Sequence, residues 1–412
     1  LGDVYKRQVV ETDDASVINT GMYYFGGSND GSMKTGWQKI TVHDNEDGKD
    51  DDYDYWFNFK SNGQKRTHSS DDDTWKSNSR YYHFDERGVM VYQWFETAST
   101  NSASASNWAY FSSPEDGARV TKGWFKVVAP TEDNSFLESK ATFAEKDSND
   151  ESERWYYSDS KDDGLVVGEI KKIKGKYYGF WPDDGDKGGR MLIGLCALQM
   201  NEADGSKIDK VVMADMDSDD LDDFMDNVDA GDYDDSNVYL YYFGDDADGD
   251  GSMKTGSVSV NLDGDSYQFQ FKKTGASDSR GRGVTGIDDG KYIYKYGQKI
   301  KADSDDKYVL VHATGNINET DVKVFDYDNA DIKNIDGIKA FDLPAKEGSD
   351  EDNLRGYYGF GTAKQNPADP AKGGWFLVNT SGRIQTGTKS GTKDGYDICL
   401  LYTSPSPRDP KT

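Results

Sequence analysis

The chain has 412 residues, with 48 Lys and Arg against 76 Asp and Glu. A net charge of -28 argues against nucleic acid or anionic membrane as a partner, because neutralising phosphate takes clustered cations. Only 34% of residues are hydrophobic, 54 are aromatic, Asp exceeds Glu 61 to 15 and Gly reaches 44, which excludes a Leu- and Ala-rich helical protein and predicts short strands joined by Gly/Asp turns. No stretch approaches the about 20 apolar residues of a transmembrane helix, so membrane insertion is not expected.

In chain order, residues 1–8 share no pattern with the rest of the chain, and neither do residues 399–412 at the other end. Both resemble a sequencing adapter translated in frame, so neither is expected to be native and both natural termini are expected to be missing. The genuine chain, 9–398, then holds one cysteine, Cys196, which cannot form an internal disulfide.

Tyr23-Tyr24-Phe25-Gly26, a polar turn and Gly31-Ser32-Met33-Lys34-Thr35-Gly36-Trp37 form the first hairpin signal. Related units occur at Tyr55-Trp56-Phe57 with Gly63, at Tyr81-Tyr82-His83-Phe84 with Gly88, Met90 and Trp94, and at Trp108-Ala109-Tyr110-Phe111 with Gly117, Gly123 and Trp124. Trp155-Tyr156-Tyr157 with Gly164 and Gly168, and Tyr178-Gly179-Phe180 with Gly189, Met191 and Gly194, continue the series. A first array over 9–198 results. Asp-rich residues 199–236 read as a solvated connector, with a short helix capped by Ser218, running through about Val228, with Asp residues in its first turn and Gly231 just after its end.

A second array spans 237–398. Tyr241-Tyr242-Phe243-Gly244 and Gly251-Ser252-Met253-Lys254-Thr255-Gly256 repeat the first unit at offsets of 218 and 220 residues, and Tyr357-Tyr358-Gly359-Phe360 repeats Tyr177-Tyr178-Gly179-Phe180. Tyr267-Gln268-Phe269-Gln270-Phe271 alternates strictly, Tyr292-Ile293-Tyr294 comes next, and Gly374-Trp375 through Gly382, Ile384, Thr386 and Gly387 closes the run. Period-2 alternation places aromatics on both faces of each strand. A lone hairpin is marginal in water and must stack on neighbours. The predicted fold is therefore all-β, a β-hairpin repeat solenoid with an aromatic core and a short acidic helix near 218–230.

From Tyr23 to Trp37 the sequence resembles the cell-wall-binding, or choline-binding, repeat family of Gram-positive surface proteins, whose unit reads as aromatics, a turn and Gly-x-Met-x-Thr-Gly-Trp. Glucan-binding repeats of glucosyltransferases and receptor-binding repeats of clostridial toxins are related. The resemblance covers about 23–194 and 239–387 discontinuously. It implies a secreted, cell-surface protein in which choline of teichoic acid sits between hairpins. The implied contacts are the Trp ending a unit (Trp37, Trp94, Trp124), the aromatic opening the next (Trp56, Trp108, Trp155), Tyr24, Tyr82, Met33 and Met90. A quaternary ammonium donates no hydrogen bond and is held by aromatic faces at about 0.5–2 kcal/mol per contact. Ser257 stands where the family has Trp after Gly256, and eight of nine Trp lie at or before Trp181, so cages are expected in the first array.

Taken singly, a Tyr or Phe in these strands packs the core and a Met fills gaps. Sugar rings stacking on the same aromatics, in a glucan- or host-glycan-binding array, is one alternative. A ligand-free stalk is a second, and a targeting module of an enzyme encoded elsewhere is a third. No cofactor or structural metal is expected. Asp246–Gly251 resembles the start of a calcium loop, but its twelfth position is Ser257 and not a bidentate Glu. His43, His68, His83 and His312 have no metal spacing and no nucleophile or phosphate-loop motif occurs, so the region is expected to be non-catalytic. Cys196, in an apolar run, reads as an inert buried thiol.

Overall fold

A computed structural model describes residues 22–26, 29–44, 51–67, 74–96, 108–129, 152–160, 164–182, 187–234, 236–244, 249–274, 279–288, 291–304, 308–313, 322–325, 374–384, 391–393 and 396–398. The adapter-like ends, His68, Tyr357–Phe360, Thr386, Gly387 and Asp246–Asp248 of the calcium-loop-like segment lie outside these residues. Two units divide the chain, residues 1–172 with 178–192, and residues 173–177 with 193–412.

The first unit carries β1 (Gly36–Asp44), β2 (Asp51–Phe59), β3 (Trp75–Ser77), β4 (Arg80–Tyr82), β5 (Gln93–Glu96), β6 (Trp108–Phe111), β7 (Gly123–Val128), β8 (Glu153–Ser160) and β9 (Gly164–Leu165). They form antiparallel sheets β1–β2, β3–β4, β5–β6 and β7–β8–β9. The hairpin of β10 (Ile170–Ile173) and β11 (Lys176–Gly179) contributes to both units. The second unit continues with β12 (Leu195–Met200), β13 (Ile208–Met213), helix α1 (Ser218–Ala230), β14 (Val238–Tyr242), β15 (Gly256–Leu262), β16 (Asp265–Phe271), β17 (Gly286–Asp288), β18 (Tyr292–Lys295) and β19 (Gln298–Lys299). Beyond these come β20 (Tyr308–Ala313), β21 (Val322–Phe325), β22 (Gly374–Asn379), β23 (Gly391–Lys393) and β24 (Tyr396–Ile398). Their sheets run β13–β12–β14, β15–β16–β19–β18–β17, β21–β20–β22 and β23–β24. The fold is all-β in hairpin repeats, with α1 as the helix predicted near 218–230.

One backbone rule joins successive hairpins. The residue at the Met position of the motif donates its N–H to a carbonyl of the preceding hairpin: Lys65 to Met22, Met90 to Trp56, Arg119 to Tyr81 and Met191 to Trp155 in the first unit, and Met253 to Tyr177 and Gly283 to Leu240 in the second, all at 2.7–2.8 Å. The side chains of Met33, Lys65, Met90 and Met253, at this position of their units, fill the space left by the next hairpin's turn glycine. A Cβ on Gly63 would lie 2.2 Å from the Met33 sulfur, one on Gly117 2.4 Å from Met90, and one on Gly281 2.3 Å from Met253. These glycines also hold φ of 79°, 58° and 83°, which a side chain disfavours.

Cores form between hairpins. Tyr24, Ile40, Tyr55, Phe57, Phe59 and Val89 make one in the first unit. In the second, Leu221 and Phe224 of α1 are buried with Leu195, Leu240, Val260 and Phe269. The stretch read from sequence as a solvated connector is thus a packed part of the second unit, including β13. Its Asp residues decorate a helix whose apolar stripe is covered. The helix is capped by Asp217 and not Ser218, since the Asp217 carboxylate accepts the Asp220 N–H at 2.8 Å, and Gly231 closes it with φ of 86°.

The sequence repeat at Tyr24 and Tyr242 is also a structural one. Lys34 and Lys254 donate their N–H to Tyr24 O and Tyr242 O, and Asp30 and Asp250 each bind the N–H of Ser32 and Ser252 at 3.2 Å and pair with Lys34 and Lys254. Lys34, with Ser32, holds the Asp30 carboxyl down to about 2. At Asp250, burial pushes upward but Ser252, Lys176 and Lys254 outweigh it and the carboxyl is lowered.

Candidate ligand-binding aromatic sites

Strand register places the motif tryptophans. In β1–β2, Trp37 lies opposite Asn58 and Lys39 opposite Trp56. In β5–β6, Trp94 lies opposite Tyr110 and Glu96 opposite Trp108. In β7–β8, Trp124 lies opposite Tyr157 and Lys126 opposite Trp155. The pairs Trp37/Trp56, Trp94/Trp108 and Trp124/Trp155 are therefore equivalent. In β15–β16 the same register gives Ser257 opposite Gln270 and Ser259 opposite Gln268, so both tryptophan positions there are polar. Each of these first strands opens on a residue with positive φ, Gly36 at 74°, Gln93 at 57°, Gly123 at 102° and Gly256 at 84°, directly before the tryptophan position.

Two of the three tryptophan pairs make half-buried clusters of steeply inclined rings. At site A, Trp37 meets Trp56 at 6.4 Å and 83°, Trp75 at 5.5 Å and 55°, and Tyr82 at 5.0 Å and 65°, with Phe84 and Met90 buried behind. At site B, Trp124 meets Trp155 at 6.2 Å and 87°, Tyr157 at 5.1 Å and 68°, and Tyr178 at 4.8 Å and 69°, with Phe180 at 5.6 Å. Rings meeting at such angles form the walls of a corner, and the attraction of a ring face for a cation is already visible at Trp75, which the Arg66 guanidinium covers at 4.2 Å.

The third pair is closed. Trp94 is 2% and Trp108 4% exposed, Trp94 donates its indole N–H to Val128 O at 3.0 Å, and Tyr110, Phe125, Tyr156 and Leu165 pack around it. Neither therefore offers a ligand a free face. Tyr24 is likewise a core residue, 7% exposed and stacked on Phe59 at 6.2 Å. Met33 packs against Gly63, is 45% exposed and belongs to neither cluster, while Met90 backs site A. Of the ten residues expected from sequence, Trp37, Trp56, Tyr82 and Met90 come together at site A and Trp124 and Trp155 at site B.

Sequence reasoning missed Trp75, Tyr157, Tyr178 and Phe180. Tyr82-His83-Phe84 and Tyr178-Gly179-Phe180 share one spacing, and that was the available signal for the last two. Trp75, in the three-residue β3 and covered by the Arg66 guanidinium at 4.2 Å, belongs to no motif.

The rim of site A is charged. Trp56 donates its indole N–H to Glu115 Oε2 at 3.1 Å, and Lys39 donates to Glu115 Oε1 at 2.8 Å and lies 3.1 Å from Asp54. Glu115, then Asp54, pushes the Lys39 ammonium up, and Lys39, then Trp56, pulls the Glu115 carboxyl down. At site B the matching Lys126 lies 3.8 Å from Glu153, and the Trp155 indole N–H is buried with no acceptor among the described residues.

No family model and no curated sequence matches the chain. Among solved structures it is similar to CbpJ from Streptococcus pneumoniae TIGR4, at 15% identity over 88% of this chain and 98% of that one, with a TM-score of 0.25. It is similar to choline binding protein F from Streptococcus pneumoniae at 16% identity over 89% and 97%, TM-score 0.23. The modular autolysin LytC from the same organism matches at 18% identity over 70% and 43%, TM-score 0.26.

Other chemistry is sparse among the described residues. No group of three or more His, Cys, Asp or Glu is placed to hold a metal, and no helix is long and apolar enough to cross a membrane. His83 is 1% exposed and packs on Phe95 at 5.0 Å. Burial pushes the Cys196 thiol up to about 12, which leaves it protonated and unreactive.

Proposed function

We propose that this chain is a non-catalytic cell-wall-binding region that holds a secreted, surface-located protein on choline-bearing teichoic acid through sites A and B. The observation that carries this reading is the pair of register-equivalent aromatic corners, Trp37 with Trp56, Trp75 and Tyr82, and Trp124 with Trp155, Tyr157 and Tyr178. A trimethylammonium group gains from several ring faces at once. A sugar platform needs one broad, open face, and the steep ring angles favour the cation. The Gly-x-Met-x-Thr-Gly-Trp resemblance supports the same ligand, and the net charge of -28 attracts cations over long range. Teichoic phosphate is repelled by that charge, so affinity has to come from the corners.

Tryptophan fluorescence of the full chain titrated with choline, and separately with dextran, tests the proposal. A saturable choline response that Trp37→Ala and Trp124→Ala each diminish is expected. A response to dextran alone would replace choline by glucan, and no response to either would leave a structural stalk.

A further inference from the structure

Sites A and B share their rings, their lysine (Lys39, Lys126) and an acidic residue two positions before the second tryptophan (Asp54, Glu153). Site A has in addition Glu115, delivered from the turn after β6. Three contacts seat that turn: Met90 fills the space at Gly117, Arg80 pairs with Asp116, and Arg119 N–H binds Tyr81 O at 2.8 Å. At site A two carboxylates, Asp54 and Glu115, face Lys39, with the Arg66 guanidinium set apart on the Trp75 ring, whereas at site B Lys126 meets the single carboxylate of Glu153. The Glu115 carboxylate occupies the indole N–H of Trp56, the single donor that ring could offer a sugar hydroxyl or a phosphate oxygen, and together with Asp54 it engages the Lys39 ammonium.

Resting on the choline reading above, we propose that Glu115 is the residue that makes site A select a cationic headgroup over a neutral or anionic ligand of the same shape. The rings hold any compact apolar group of the right size, and the choice of charge falls to the carboxylate bonded to Trp56. Because Glu115 is largely open to water, its field on a bound ammonium is screened and its effect is modest, about fivefold in affinity.

Isolating site A with Trp124→Ala, the full chain is titrated with choline and with 3,3-dimethylbutan-1-ol, the uncharged carbon isostere, in the presence and absence of Glu115→Gln. Gln keeps an acceptor for the Trp56 N–H, so the turn stays seated. The expected result is a loss of about fivefold in choline affinity, an unchanged Kd for the alcohol, and a choline affinity that weakens less steeply with salt. Choline binding that Glu115→Gln leaves unchanged, or an equal change for both ligands, overturns the role of Glu115 while choline binding stands. Absence of any choline response in Trp124→Ala that Trp37→Ala abolishes overturns both.

Discussion

Lys65 occupies the position that Met33, Met90 and Met253 hold in other units, and it shows what that position demands. Its side chain is 2% exposed, fills the space beside Gly88 and brings Nζ to 5.7 Å from the Phe57 ring. Burial lowers its ammonium from 10.5 to about 8. Below about 8 both folded and unfolded chains carry the proton. Between about 8 and 10.5 the unfolded chain holds a proton that the folded one has released, so stability rises with pH across that window. Lys65→Met, which keeps the length and loses the charge, is expected to stabilise the first unit by roughly 1–3 kcal/mol at neutral pH and to flatten the alkaline rise. Urea midpoints measured from pH 7 to pH 11 check both. Nothing in the sequence singles out Lys65, because the cost of its burial depends on Gly88 and the neighbouring hairpin.

At the scale of the element, the hairpins were legible and their closures were not. Alternating aromatics and turn glycines located the strands, and the motif's closing Trp with the aromatic opening the next unit picked out all three equivalent tryptophan pairs, although Gln93 replaces Gly before Trp94. What separates the open Trp37 and Trp124 from the closed Trp94 is contact with Phe125, Tyr156 and Leu165, which come from later hairpins and obey no local pattern. The helix signal was likewise correct while its packing was hidden, since Leu221 and Phe224 are only two apolar residues in an acidic stretch. Asp217→Ala should lower the stability of the second unit by about 1 kcal/mol through loss of the cap. Phe224→Ala should lower it by about 3–5 kcal/mol, and Trp94→Ala should do the same in the first unit, both read from denaturant unfolding. The glycine rule predicts that Gly88→Ala destabilises as well, because φ there is 82° and the new Cβ would lie 2.6 Å from Arg66 O.

For the molecule as a whole, the described residues of the first unit carry the two half-buried aromatic corners, sites A and B. At the equivalent register the β15–β16 hairpin of the second unit has Ser257 and Gln268, so both ring walls are missing from that hairpin. Net charge acts on both units alike. Self-repulsion of -28 charges makes the folded chain salt-sensitive, and thermal unfolding should shift upward between about 20 mM and about 500 mM NaCl. Calorimetric titration of the full chain with choline tests the central claim most directly. The stoichiometry is predicted to fall by one in Trp37→Ala, by one in Trp124→Ala and by two in the double variant. A stoichiometry that the double variant leaves unchanged, or no binding by the unaltered chain, would contradict the account.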